Sequence, residues 1–358
     1  MAKFALRLEA RPAPSRLMSW LSPVLAVLLT VLCGALLFIA LGHDPLAGLA
    51  VFFVEPLRDA HGWSELGLKV APLLLIAVGL AICFRANIYN IGAEGQLTLG
   101  AICGGAAALY LEDGIGGAAL IGVSLLAGMA GGMAWAGLVA WLRDRYNASE
   151  ILVSLMLVYI AQLLLSYLVY GVLRDPEGFN FPQSKLLSDG LLLPMVISDT
   201  RLHVGIVFAL LASLGGWLYL SRSIAGFRLR VGGMAPAAAR YAGFSSRKTL
   251  WSSLLICGAL SGLAGACEVL GPMGQLTPTV SPGYGFAAII VAFVGRLHPV
   301  GVIFSSFVMA LFYIGGELAQ SRLGLPSAIT GVFQGILLFA LLACDVLIQY
   351  KLRWRKHG

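Results

Sequence analysis

This sequence is short of charge. Only 11% of its 358 residues are Asp, Glu, Lys or Arg, while 59% are hydrophobic, and mean hydropathy is +0.89. Soluble domains carry about a quarter charged residues, which excludes a soluble globular chain. Histidine is scarce too, at five residues, with His203 and His298 standing alone. No His-Glu-x-x-His, His/Cys cluster or Ser-His-Asp arrangement is present, so neither an intramembrane enzyme nor a metal or other cofactor is expected. The six cysteines, Cys33, Cys83, Cys103, Cys257, Cys267 and Cys344, lie inside apolar runs without close pairing and read as small packing residues. A phosphate loop is also missing. Gly243-Phe-Ser-Ser-Arg-Lys-Thr249 lacks the second glycine directly before the lysine, so the chain has no ATP site of its own. Net charge is +7, which in a chain this apolar concerns the two sides of a membrane and implies no nucleic-acid partner.

What the sequence has is long apolar runs. They predict an all-α polytopic membrane protein with ten crossings, at 20–42, 66–84, 93–111, 118–142, 150–173, 202–220, 250–271, 284–295, 299–318 and 326–348. The expected organisation is a cytoplasmic segment over 1–19, one transmembrane domain over 20–348 with a cytoplasmic connection at 221–249, and a basic cytoplasmic tail over 349–358. No small-residue cleavage site follows Lys3, Arg7, Arg11 and Arg16, so the first run is a retained span. With the N-terminus inside, the inner side collects eighteen of the 24 basic residues and the outer side six, while acids such as Asp113, Asp175 and Asp199 fall outside. That bias puts both termini in the cytoplasm and requires an even number of spans.

Two stretches break the apolar pattern. Arg85 to Gly100 sets Asn87, Asn90, Glu94 and Gln96 among glycines, and polar groups at membrane depth are tolerated only inside protein or along a wet cavity. The alternative is an ordinary loop with Glu94 near a helix N-terminus. Gly271 to Phe286 is rich in Gly and Pro and precedes a run of about a dozen residues, too short to cross. With ten spans, two five-helix halves would have inverted topology, making the interrupted third and eighth helices counterparts and the best pointer to a translocation site. Glu268, Glu317 and Asp345, near ends of apolar runs, read as interfacial or paired side chains and not as chemistry. The outer connection from Arg174 to Arg201 offers a surface to something outside the membrane. The basic inner connection holds Gly233-Met-Ala-Pro-Ala-Ala-Ala-Arg-Tyr-Ala-Gly243, a short helix started by Pro236 and stopped by Gly243.

Asn90-Ile-Gly-Ala-Glu-Gly-Gln96 resembles the signature of permease subunits of bacterial ABC importers for nucleosides and simple sugars, in the broader group that includes ribose and branched-chain amino acid permeases. The stretch from Ser149 to Ala161, the Ala237–Gly243 helix and the stretch from Tyr284 to Arg296 resemble further segments of that family in the same order. The sequence departs at Val158, where the family usually has Asn, and at Ala287, where it often has Asp. The resemblance implies a chain of the bacterial inner membrane that binds no cofactor and hydrolyses nothing. It implies a tandem ATPase subunit gripping a coupling helix at Pro236, Ala238, Arg240 and Gly243. It also implies a second permease, as another copy or a related chain, and a periplasmic or lipid-anchored solute-binding protein. Asn87, Asn90, Glu94, Gln96, Tyr284 and Phe286 would lie near the substrate path. Rival classes are an ion- or proton-coupled secondary transporter using Glu94 or Asp345, and a structural membrane-assembly protein.

Overall fold

The computed structural model describes residues 4–356 except 14, 113, 115 and 199, so Lys3, Asp113 and Asp199 lie outside the described residues. Contacts divide the chain into two compact units, Met1–Gly62 with Leu311–Gly358, and Trp63–Ala310. In chain order the elements are β1 (Phe4–Ala10), α1 (Arg16–Ala40), α2 (Pro45–Leu49), α3 (Ala60–Arg85), α4 (Ala93–Leu111), α5 (Gly117–Tyr146), α6 (Glu150–Tyr170) and α7 (Gly205–Arg222). They continue with α8 (Ile224–Met234), α9 (Pro236–Tyr241), α10 (Ser246–Glu268), α11 (Tyr284–Val294), α12 (Pro299–Leu323), α13 (Ile329–Gln349) and β2 (Tyr350–Lys356).

Helix starts follow local chemistry. Ser15, Asp44, Ser149 and Ser245 each accept a hydrogen bond from a first-turn amide, supplying the partner those amides otherwise lack. Asn147, left-handed at φ +50°, ends α5. Eight helices among the described residues are long and apolar enough to cross a membrane. Of the two other expected crossings, α4 has 19 residues, roughly 28 Å of helix, but is richer in glycine and polar residues. The other, α11, has 11 residues, roughly half of what a crossing needs.

One expectation needs correction, and two further features lie outside what was expected. The third predicted span is not interrupted, because α4 runs unbroken from Ala93 and the irregular backbone precedes it, with Asn87 at φ +59°. The two terminal segments pair with each other as an antiparallel ribbon from Phe4↔Lys356 to Ala10↔Tyr350. Both alternate apolar and charged residues, a period-two pattern suited to a strand. The connection between α1 and α3 is helical, with α2 leading into a π-helical turn at Ala50–Val54 and a 3-10 turn at Glu55–Leu57.

In the first unit, Phe52 stacks on Phe333 at 4.3 Å between ring centroids, with Phe38, Phe53 and Phe312 around them. Arg322 and Glu55 form an ion pair at 2.7 Å, and Asp345 accepts a hydrogen bond from Ser22, so this acid is tied to α1.

The second unit is held by contact between glycines. A Cβ on Gly100 would lie 2.3 Å from the Gly262 Cα, one on Gly132 2.2 Å from the Gly258 carbonyl oxygen, and one on Gly265 2.0 Å from the Leu97 carbonyl oxygen. Small residues let backbones in a membrane approach closely, and here they press α4, α5 and α10 together. Valine at 262 or 265 is expected to cost on the order of 3 kcal/mol, seen as a lower melting temperature and less monodisperse protein in detergent. Gly137→Ala, whose Cβ would meet nothing nearer than 3.8 Å, should leave both unchanged.

Candidate functional site: a carboxylate between two helix starts

Between α3 and α4 the chain carries a buried polar knot around Asn90, while Asn87 and Tyr89 of the same segment are exposed. Asn90 and Gln96 are wholly buried and bond to each other, Asn90 Nδ2 to Gln96 Oε1 at 3.2 Å and Gln96 Nε2 to Asn90 Oδ1 at 3.3 Å. Asn90 Nδ2 also donates to Cys257 Sγ at 3.2 Å, and Asn90 Oδ1 accepts the Gly92 N–H at 3.0 Å. Ser154 of α6 accepts the Ile91 N–H at 3.1 Å. Cys257 lies eleven residues into α10, roughly 16 Å along it, so this knot sits at membrane depth, where unpaired backbone is costly.

Glu94 follows in the first turn of α4, 2% exposed. Its Oε2 accepts the Gly285 N–H at 2.6 Å, and Ser281 and the Gly283 amide also bond to the carboxylate. Ser281 Oγ in turn accepts the amides of Gly283 and Tyr284, at 3.2 and 3.0 Å. One carboxylate therefore serves the positive ends of two helices, its own α4 and the half-length α11. Gly285 is required for the approach, since a Cβ there would lie 2.3 Å from the Glu94 amide nitrogen.

The segment leading into α11 is braced from another direction. Leu193 N–H donates to Leu270 at 2.7 Å, Leu187 N–H to Gly274 at 2.8 Å and Ser184 N–H to Leu276 at 2.9 Å, while Ser184 Oγ accepts the Leu276 N–H at 2.9 Å. The connection expected to serve as a docking surface is thus also a strap across this irregular backbone. At the far end of α11, Arg85 Nε donates to the Leu297 carbonyl at 2.7 Å, and Arg296 and Leu297 are both left-handed, making the turn into α12.

The structure gathers Asn90, Glu94, Gln96 and Tyr284 in the interior of the unit, Tyr284 being 2% exposed with Lys69 Nζ 6.0 Å from its ring centroid. Phe286 is different, 39% exposed on α11. Asn87 is separate from this knot, exposed at the end of α3 and lining a cavity of about 380 Å³ with Pro236 and Ala239. The departures from the family pattern, Val158 and Ala287, are both buried, and a Cβ on Gly95 would lie 3.0 Å from the Val158 Cα. Glu268, read as interfacial, is 4% exposed. Glu65 and Arg201 pair at 3.6 Å in the same unit.

Of the four residues expected to contact an ATPase, Pro236, Ala238 and Arg240 lie on α9 and are exposed, and Gly243 follows at φ +76°. Ala239 is the buried residue of α9, and Tyr241 beside it is 97% exposed. Next to α9, Gly233 of α8 lies against the end of α3, where a Cβ would come 2.3 Å from the Arg85 carbonyl oxygen.

Residues 64–342 match the family described as the permease component of the branched-chain amino acid transport system. The chain belongs to that family. The permease is 32% identical to the glucose ABC transporter permease of Haloferax volcanii, over 97% of this chain and 93% of that one. It is 31% identical to the guanosine ABC transporter permease of Bacillus subtilis, over 90% and 93%. With the nucleoside ABC transporter permease of Lactococcus lactis it shares 26% identity over 89% of each chain. It is a multi-pass membrane subunit of an ABC transporter, a transport component.

Sequence reasoning left His203 as an isolated residue. The structure buries it before α7, where Nδ1 accepts the Gly205 N–H at 3.0 Å and Nε2 has no partner among the described residues. Burial pushes its pKa down from 6.5 to about 4. The folded permease therefore holds this ring neutral, while the unfolded chain protonates it below about 6.5. Stability should be unaffected above pH 6.5 and fall by up to on the order of 3 kcal/mol as pH drops toward 4. Melting temperatures across that range, compared with those of His203→Gln, would show the His203 share as the difference in slope.

Proposed function

We propose that the permease forms part of the translocation path of an importer for a nucleoside or simple sugar. The solute is delivered by an extracytoplasmic binding protein, and movement is driven by a tandem ATPase chain. The observation that carries this reading is α9: a six-residue helix on a basic connection whose residues, Ala239 apart, are exposed. Such a surface suits a partner, and ATP hydrolysis belongs to that partner, because the sequence holds no phosphate loop. Pro236, Ala238, Arg240 and Gly243 form the contact. The substrate class rests on the names of the glucose, guanosine and nucleoside relatives.

On this reading Phe286 faces the solute route, in company with a second permease, either another copy or a related chain. Asn90, Glu94, Gln96 and Tyr284 shape that route from behind by fixing where α11 starts. Asn87 serves the α9 side. The eighteen-to-six distribution of basic residues supports termini in the cytoplasm of a bacterial cell, with the permease in the inner membrane and the strap at 184–193 outside. Two variants test the assignments in proteoliposomes holding the assembled transporter. Glu94→Ala should lower uptake about tenfold with the complex still assembled, and Arg240→Glu should let ATP hydrolysis continue while uptake falls by a similar factor. Unchanged uptake in both would remove the assignments.

A further inference from the structure

The cavity behind α9 is lined by Pro236 and Ala239 on one side and by Ala86, Asn87 and the end of α5 on another. A helix backed by empty space can absorb a push without passing it on, so something must tie the α9 segment to the spans. Asp144, in the last turn of α5, makes such a tie. Its Oδ2 accepts Arg247 Nε at 2.7 Å and Trp251 Nε1 at 3.1 Å, two donors from the first turns of α10, directly after the α9 segment. The adjoining α5–α6 turn is braced by the Arg143–Glu150 ion pair at 2.8 Å and the left-handed Asn147. Ser154, one turn beyond Glu150, holds Ile91 and so touches the chain that carries Glu94.

We propose that Asp144 is a positioning residue for coupling: it fastens the segment carrying α9 to the α5–α6 turn, so that load applied to α9 reaches α6 and the Glu94 knot instead of collapsing the cavity. This rests on the reading of α9 as the ATPase contact. The competing account is an ordinary surface ion pair, which contributes little to stability and nothing to coupling. Convergence of two donors on one oxygen, with the Asp144 side chain 19% exposed, favours the tie.

The test uses the complete transporter in proteoliposomes and measures solute moved per ATP hydrolysed, together with basal hydrolysis and recovery of assembled complex. Asp144→Asn, which preserves volume and an acceptor for Trp251, should leave assembly and basal hydrolysis intact and lower solute per ATP about tenfold. Asp144→Ala should lower it at least as far, and Asp144→Glu should restore most of it. Wild-type solute per ATP in both Asp144→Asn and Asp144→Ala overturns the proposal, as does a loss that only tracks reduced assembly. Arg240→Glu in the same assay separates the two readings. If it uncouples while Asp144→Asn does not, only the tie is wrong; if it leaves coupling intact, the reading of α9 is wrong and the tie falls with it.

Discussion

The architecture depends on a carboxylate placed where lipid alone would not tolerate one. Glu94 is stable at membrane depth because helix starts surround it, with amides and a hydroxyl supplying the partners that water supplies elsewhere. The dependence runs both ways. A half-length helix beginning inside the membrane exposes amides that cannot go unpaired, and Glu94 and Ser281 are what pair them.

Packing makes that placement possible. Glycine at 95, 100, 262, 265 and 285 removes the side chains that would hold α4 away from its neighbours, allowing a polar knot to form with no room for lipid. The Asn90–Gln96 pair satisfies its own donors and acceptors, so its cost of burial is largely offset. The close packing at this end contrasts with α9, which borders a cavity and buries only Ala239 of its own residues.

Much of this could be read from residue order. The apolar runs located the long helices to within a few residues, apart from the start of α3, and the short run at 284–295 anticipated α11 closely. The polar stretch at 85–100 was recognisable because amides and a carboxylate are conspicuous in an apolar chain. Its partner was less legible. Hydropathy related the two irregular stretches only as counterparts in inverted halves, yet Glu94 bonds to Gly285, 191 positions away, a contact no local pattern encodes. Burial of Glu268, the pairing of the termini and the convergence of Arg247 and Trp251 on Asp144 are likewise long-range facts. Asn87 stands apart from Asn90 despite their closeness in sequence, left-handed and exposed after the end of α3.

The strap at 184–193 makes the irregular backbone at 270–276 behave as though it belonged to a small sheet, with its carbonyls already engaged by another segment. Neither partner can slide without the other unless those bonds break together. A displacement of the long connection would therefore be passed, at one remove, to the root of α11.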